Sequence, residues 1–353
     1  MDRPFSAGIA SFGMSGRVFH APLLAHHPAF HLKRIVERST SDAHALYPGA
    51  LISRSVGDLL SDPALDLIVV NTPDQDHYGL AKSCLEAGKH VVVEKPFTQT
   101  VGQGEELIEL ASSKNRILSV FQNRRWDGDF LTVRKVIDGG ALGRIVEYES
   151  HFDRFRPAIQ RASWKEDPES GTGLLWNLGS HMIDQALSLF GMPGGISAHL
   201  RIVRNGGAVN DWFDLHLQYP SLMVALKASY LAREPRPRFL LHGDRGSYVK
   251  YGVDPQEEAL KRGSIPDCPG WGMEAEGWWG LLHTEQEGVA RRERFPTIPG
   301  NYSAYYDNIA AAIAGGETLA VTASQALDVI RIIDLARRSE GEGGHMVAVR
   351  PPG

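Results

Sequence analysis

Along the first third of the chain, short apolar runs alternate with segments whose apolar residues recur at helical spacing. Ala7–Ala10, Leu32–Glu37, Leu67–Asn71, Val91–Glu94 and Ile117–Phe121 read as strands, rich in Ile, Leu and Val and too short for helices. The segment from the first glycine turn to about His27, then His77–Ala87 and Val101–Ser113, read as helices, and Gly88 is a usual residue just past a helix end. Continuously apolar strands separated by helices predict βαβ units and a parallel sheet buried on both faces. Right-handed crossovers then bring every strand's C-terminal end to one side.

After about Gln122 the pattern changes. Phe130–Ile137 and Trp176–Phe190 read as helices. Ile145–Phe152, Ser197–Val203, Phe213–Tyr219 and Leu222–Leu231 read as longer strands, several alternating polar and apolar residues as in an antiparallel sheet with one wet face. The 255–300 stretch, rich in Gly, Pro and Trp, reads as long loops near the sheet edge. Two helices, Tyr302–Ala314 and Ala323–Arg338, close the chain before a loosely held tail, Gly341–Gly353.

Composition narrows the class. A length of 353 residues exceeds one ordinary core, so two domains are expected. A formal net charge of −5 argues against a nucleic-acid partner, which requires a basic face. Cys84 and Cys268 are the two cysteines, which excludes a disulfide framework and favours a reducing, cytoplasmic setting. No apolar run approaches the ~20 residues of a membrane helix. The glycines and serines of Phe5–Met14 fit a strand and turn better than a signal peptide. No His/Cys/Asp cluster has metal spacing.

Between the first strand and first helix, Ser11-Phe12-Gly13-Met14-Ser15-Gly16 aligns with G-x-G-x-x-G, with Ser11 in place of the first glycine. Gly13 lets a pyrophosphate approach the backbone, Gly16 lets helix and strand pack closely, and the helix N-terminus offers N–H groups to phosphates. The end of the second strand should meet the adenosine ribose. There Glu37 would favour NAD, whereas Arg38 with Ser39 and Thr40 favours the 2′-phosphate of NADP. Alternation along a strand means that only one of Glu37 and Arg38 need meet the ribose, and NADP is the expected cofactor, NAD the alternative. Further on, Val91-Val92-Val93-Glu94-Lys95-Pro96 ends a buried strand in a Lys whose backbone is fixed by the following Pro. Open α/β sheets bind ligands at such strand ends.

These stretches, with Asn71–His77 (NTPDQDH), Gln122–Phe130 (QNRRWDGDF) and Gly171–Asp184 (GTGLLWNLGSHMID), resemble the Gfo/Idh/MocA oxidoreductases, in particular their NADP-dependent scyllo-inositol dehydrogenase-like branch. The resemblance implies an α/β protein with an N-terminal Rossmann domain, placed here at 1–122. It implies a C-terminal α/β domain, 123–353, with a large, mostly antiparallel sheet that carries substrate and oligomer contacts. The closing helix 323–338 is then able to pack back on the first domain. A homodimer or homotetramer follows by the same likeness. So does a Lys95–Pro96 bond that is often cis, with Lys95 touching both cofactor and substrate. Asn71, Thr72, Pro73 and His77 fall among cofactor contacts, the last three on the nicotinamide side, and Glu94 falls near the nicotinamide ribose.

Hydride transfer from a secondary alcohol needs a residue to take the hydroxyl proton and one to stabilise the negative oxygen. On the Trp176–Phe190 helix, Asn177, His181 and Asp184 share a face. His181 suits the proton and Lys95 the oxygen, while Asp184 reads as structural. Family members commonly carry Asp where this chain has Asn177, which hydrogen-bonds hydroxyls but does not titrate. Trp126, beside Arg124 and Arg125, and Arg154, with Arg156 close by, are candidate substrate contacts; Tyr305 reads as core and His20 as lying near the cofactor. The function expected is NAD(P)-dependent oxidation or reduction of a cyclic polyol or sugar. A non-catalytic cofactor-binding sensor on the same fold is the alternative that Asn177 leaves open, and imine reduction is a further one.

Overall fold

The computed structural model describes residues 3–160, 163–168, 172–286 and 288–349. Gly171 of the glycine-rich motif and the end of the tail, 350–353, lie outside them. The chain divides into two units. The first comprises Met1–Trp126, Pro255–Trp271 and Asn301–Leu327; the second comprises Asp127–Asp254, Gly272–Gly300 and Asp328–Gly353. The sequence places a single boundary at 122/123, whereas the chain re-enters the first unit twice. Among the described residues no helix is long and apolar enough to cross a membrane.

The first unit is built on six strands: β1 (Phe5–Ile9), β2 (Phe30–Val36), β3 (Leu51–Ser53), β4 (Leu67–Val70), β5 (His90–Val93) and β6 (Leu118–Val120). Every pairing is parallel, in the order β3-β2-β1-β4-β5-β6. That order reverses between β1 and β4, which makes their C-terminal ends the switch point where dinucleotides bind. Leu67–Val70 and Val91–Val93 are wholly buried, as continuous apolar strands predict. β3 and the short helices Asp42–Leu46 and Gly57–Leu60 escape the sequence pattern because they are too short to show a period.

The second unit carries a nine-stranded sheet. Its strands are β7 (Ile145–His151), β8 (Gly195–Arg201), β9 (Trp212–Gln218), β10 (Met223–Ser229), β11 (Phe239–Gly243), β12 (Gly246–Lys250), β13 (Gly280–Gln286), β14 (Val289–Phe295) and β15 (Val347–Ala348). They run in the order β14-β13-β12-β11-β7-β10-β9-β8-β15, and only β7 and β10 pair in parallel. The 255–300 stretch corrects the expectation of loops. It holds the helix Gln256–Lys261 and the hairpin β13–β14 at the sheet edge. Arg291, Arg292, Glu293 and Arg294 hide β14 from hydrophobic patterning, and such charges are a usual guard on an edge strand.

Candidate active site

In the first unit, the glycine turn is held by one side chain from β4's end. Asn71 Oδ1 accepts the Ser11 N–H at 2.9 Å and Asn71 Nδ2 donates to the Ser11 carbonyl at 2.7 Å. Asn71 therefore fastens the turn from behind. Ser11 solves its own departure from the glycine pattern, because its Oγ accepts the Gly13 N–H at 3.2 Å. A Cβ on Gly16 would stand 2.1 Å from the Ser11 carbonyl oxygen, so only glycine lets helix and strand approach this closely. The helix opens with a wide π turn, Gly16–His20, and continues as Ala21–His26.

A cleft of about 340 Å³ opens over this turn. Ser11, Phe12 and Gly13 line it from β1, Glu37, Arg38 and Thr40 from β2, and Thr72 and Pro73 from β4. Met14, Ser15 and Gly16 continue the turn outside that lining, and Ser39 lies exposed on the β2 loop. The strand ends at Val36, so alternation no longer separates its last neighbours: Glu37 and Arg38 both border the cleft. Their side chains differ in what they can still bind. Glu37 is buried, its Oε1 accepting the Thr40 hydroxyl at 2.7 Å and its Oε2 the Ala43 N–H at 3.0 Å. The carboxylate is thus engaged at the start of the Asp42–Leu46 helix, while Arg38 is exposed. Arg54 clamps the same loop, donating to the Glu37 carbonyl at 2.9 Å, to Ser41 Oγ at 2.9 Å and to the Thr40 carbonyl.

At the end of β5, the Lys95–Pro96 bond is cis. The Glu94 N–H donates to the Val70 carbonyl at 2.8 Å, and the Lys95 N–H donates to Glu94 Oε2 at 3.0 Å. His77 is fully buried, with Nδ1 2.8 Å from the Pro96 carbonyl and Nε2 3.0 Å from the Thr72 carbonyl. It links the loop after β4 to the loop after β5. Glu94 is 8 % exposed, and its Oε1 lies 3.0 Å from His20 Nε2. Burial pushes its carboxyl upward, but the hydrogen bond from His20 and the nearby positive charge of Lys95 outweigh burial and hold it below its ordinary value. Two hydrogen bonds to a charged group, about 1.5–3 kcal/mol each, are of the size needed to offset the cost of burying it.

Several aromatic residues of this unit, Phe121 and Tyr305 among them, serve its core. Tyr305 donates to Ser119 Oγ at 2.9 Å and packs edge-on against Phe121 and Trp126. Arg124 pairs with Glu257 at 2.6 Å; burial raises that carboxyl, but Arg124 and Lys261 bring it down to about 2. Arg125 donates to the Ala320 carbonyl at 2.8 Å. These two arginines hold neighbouring segments, which weakens them as substrate contacts. Trp126 remains half-buried.

In the second unit, Leu175–Gly179 is a π turn that runs into the α-helix Ser180–Phe190. Asn210 anchors its start, accepting the Leu174 N–H on its carbonyl at 2.7 Å and the Leu175 N–H on Oδ1 at 2.9 Å. His181 and Asp184 are buried, and Asn177 is half-buried. Asn177 Nδ2 donates to the Tyr230 hydroxyl at 3.4 Å. The Tyr230 ring lies beneath the guanidinium groups of Arg204, 4.9 Å away, and Arg156, 5.8 Å away. Arg154 stacks on Phe152 at 5.1 Å, its N–H bonded to the Ser229 carbonyl at 2.9 Å. Sequence offers little to single out Tyr230: it is an amphipathic residue just past β10, whose residues are mostly small or aliphatic but include Lys227.

Family models match both halves of the chain. An "oxidoreductase family, NAD-binding Rossmann fold" model covers residues 5–122, and an "oxidoreductase family, C-terminal alpha/beta domain" model covers 134–349. The chain belongs to the Gfo/Idh/MocA oxidoreductase family. It is an NAD(P)-binding oxidoreductase with a Rossmann domain. An uncharacterized Escherichia coli oxidoreductase, YdgJ, is 44 % identical over 333 residues, 94 % of this chain and 95 % of that one. The Bacillus subtilis protein IolW, named scyllo-inositol 2-dehydrogenase (NADP(+)), is 40 % identical over 335 residues, 95 % of this chain and 93 % of that one. Among solved structures, a Bacteroides fragilis protein provisionally described as an oxidoreductase is 52 % identical with a TM-score of 0.91, covering 98 % of this chain and 100 % of that one.

Proposed function

We propose that the protein is an NADP-dependent dehydrogenase acting between a secondary alcohol and a ketone on a cyclic polyol or sugar, with an inositol as the first candidate. The observation that carries this is the fixing of Lys95. Its flanking backbone is tied to Val70, Glu94 and His77, as a group that must meet a developing alkoxide requires. The name of the IolW relative supports the substrate class. A bound nicotinamide cofactor supplies the hydride acceptor or donor. In the oxidation direction, the Lys95 ammonium donates a hydrogen bond to the substrate oxygen and favours its alkoxide character. His181 takes the hydroxyl proton, and Asn177 and Arg154 hold neighbouring hydroxyls, with Trp126 an apolar wall. Thr72, Pro73, His77 and Glu94 shape the nicotinamide end, while Ser11–Gly16 hold the pyrophosphate. The test is a panel of inositols and aldoses with NADP⁺ or NAD⁺, followed by nicotinamide absorbance. Tight cofactor binding without turnover on any of them would instead favour a sensor.

The tied-down Glu37 carboxylate supports NADP. A carboxylate already holding Thr40 and Ala43 is poorly placed to read ribose hydroxyls, whereas the exposed Arg38 suits a 2′-phosphate. Arg38→Ala is expected to raise the NADPH Kd about 10- to 100-fold and to leave the NADH Kd within about threefold. Wild-type Kd values for the two cofactors within about threefold of each other would refute the preference.

Asn177 has a bonded neighbour in Tyr230 and no titrating group of its own. Asn177→Asp is therefore expected to keep activity within about tenfold while adding an ionisation to the pH–rate profile. Loss of all activity would count against its place beside the substrate. A homodimer or homotetramer belongs to the same proposal. The half-exposed face of the nine-stranded sheet, with Trp212, Asp214 and His216 on β9, supports it, and light scattering tests it.

A further inference from the structure

Side chains of the first unit form a directed series of hydrogen bonds that ends on the backbone of Lys95. The Tyr306 hydroxyl lies 2.7 Å from His20 Nδ1, His20 Nε2 lies 3.0 Å from Glu94 Oε1, and Glu94 Oε2 accepts the Lys95 N–H at 3.0 Å. His20 and Tyr306 are fully buried. Chemistry fixes the direction. An ionised carboxylate only accepts, so Nε2 carries the imidazole proton. In the neutral imidazole Nδ1 then presents a lone pair, and Tyr306 donates to it. Burial and the nearby Tyr305 and Glu94 keep that phenol protonated, as a donor must be. Packing alone does not account for the arrangement. Phe19 and Phe121 already fill the surroundings with rings, and apolar residues at 20 and 306 would fill the space without a buried carboxylate.

We infer that His20 and Tyr306 are positioning residues for Lys95, acting through Glu94. They hold the Glu94 carboxylate ionised and in one orientation, with Oε1 on His20 and Oε2 on the Lys95 N–H. The ammonium-bearing residue is thereby kept in one backbone position and beside a fixed negative charge. The inference rests on the role proposed above for Lys95. It adds residues that lie 74 and 286 positions apart in the paired contacts, beyond the reach of any local motif.

The test reads Lys95 directly in the intact protein with NADPH bound. Lysines are reductively methylated with ¹³C-formaldehyde, the Lys95 signal is assigned by its loss in Lys95→Arg, and its titration is followed by NMR. His20, His77, Lys95, Tyr305 and Tyr306 are the titratable groups around Glu94. His20→Leu leaves Glu94 without its donor, so the carboxylate protonates or turns away and Lys95 loses a negative neighbour. The Lys95 midpoint is expected to fall by about half to one pH unit. His20→Gln offers both an acceptor for Tyr306 and a donor for Glu94, and should restore the midpoint to within about 0.2 unit. Tyr306→Phe should shift it in the same direction by less. With scyllo-inositol and NADP⁺, kcat should follow the same order while the KM for NADP⁺ stays within about twofold. An unchanged or raised Lys95 midpoint in folded His20→Leu overturns the inference. If that variant does not fold, an unmoved midpoint in Tyr306→Phe overturns it. Absence of turnover in the wild type would count against the substrate reading, while the NMR result still decides this one.

Discussion

Lys95→Ala is expected to lower kcat by about 10³-fold and to leave the NADPH Kd within about threefold. The size follows from what is removed. A single donor aimed at a developing oxyanion is worth about 10²–10³ in rate. The selectivity follows from the local structure. Lys95 is fastened through its N–H to Glu94, and Pro96 through its carbonyl to His77; both are backbone contacts that alanine keeps. The fold of the loop and the cofactor cleft should therefore survive, and a matching thermal melt checks this. The reading proposed above also makes this loss larger than in relatives with a carboxylate at position 177, since Asn177 does not titrate. Activity within tenfold of wild type would remove Lys95 from the chemistry. Partial recovery of Lys95→Ala by added methylamine would identify the missing group as an amine.

The parts of this molecule that were legible in the sequence are those governed by local rules. Leu67–Val70 and Val91–Val93 are apolar throughout because both sheet faces are covered, so they stand out as strands and order the parallel sheet. The glycine turn is legible because Gly16 leaves no room for a side chain. Other features depend on partners far along the chain. Glu37 and Arg38 look opposed in sequence; only the Thr40 and Ala43 contacts show that one carboxylate is already engaged. His20 looks like a residue near a cofactor; that its two nitrogens face Tyr306 and Glu94 depends on partners 286 and 74 positions away. The β13–β14 hairpin is hidden because four consecutive charged residues, Arg291–Arg294, fill the middle of its outer strand, and cross-strand hydrogen bonds rather than an apolar period define it.

The glycine turn gives the second large effect, and its two glycines should fail in different ways. Gly16→Ala is expected to raise the NADPH Kd about 100-fold and to destabilise the fold by about 1–3 kcal/mol, read from cofactor titration and chemical denaturation. Its Cβ would stand 2.1 Å from the Ser11 carbonyl and 2.8 Å from Asn71 Nδ2, both parts of the clamp that shapes the turn. Backbone cannot give way there as a flexible side chain would, so helix and strand must separate. Gly13 differs: its Cβ would meet nothing closer than Ser11 Oγ at 3.4 Å, and its φ is not in the left-handed region. Gly13→Ala should therefore fold with wild-type stability, within about 0.5 kcal/mol, yet bind NADPH at least about tenfold more weakly, because the added methyl stands where the pyrophosphate approaches. Unaltered NADPH affinity in Gly13→Ala would show that the phosphates do not lie against this turn. Unaltered stability in Gly16→Ala would show that the Ser11–Asn71 clamp yields where the close approach requires it to be rigid.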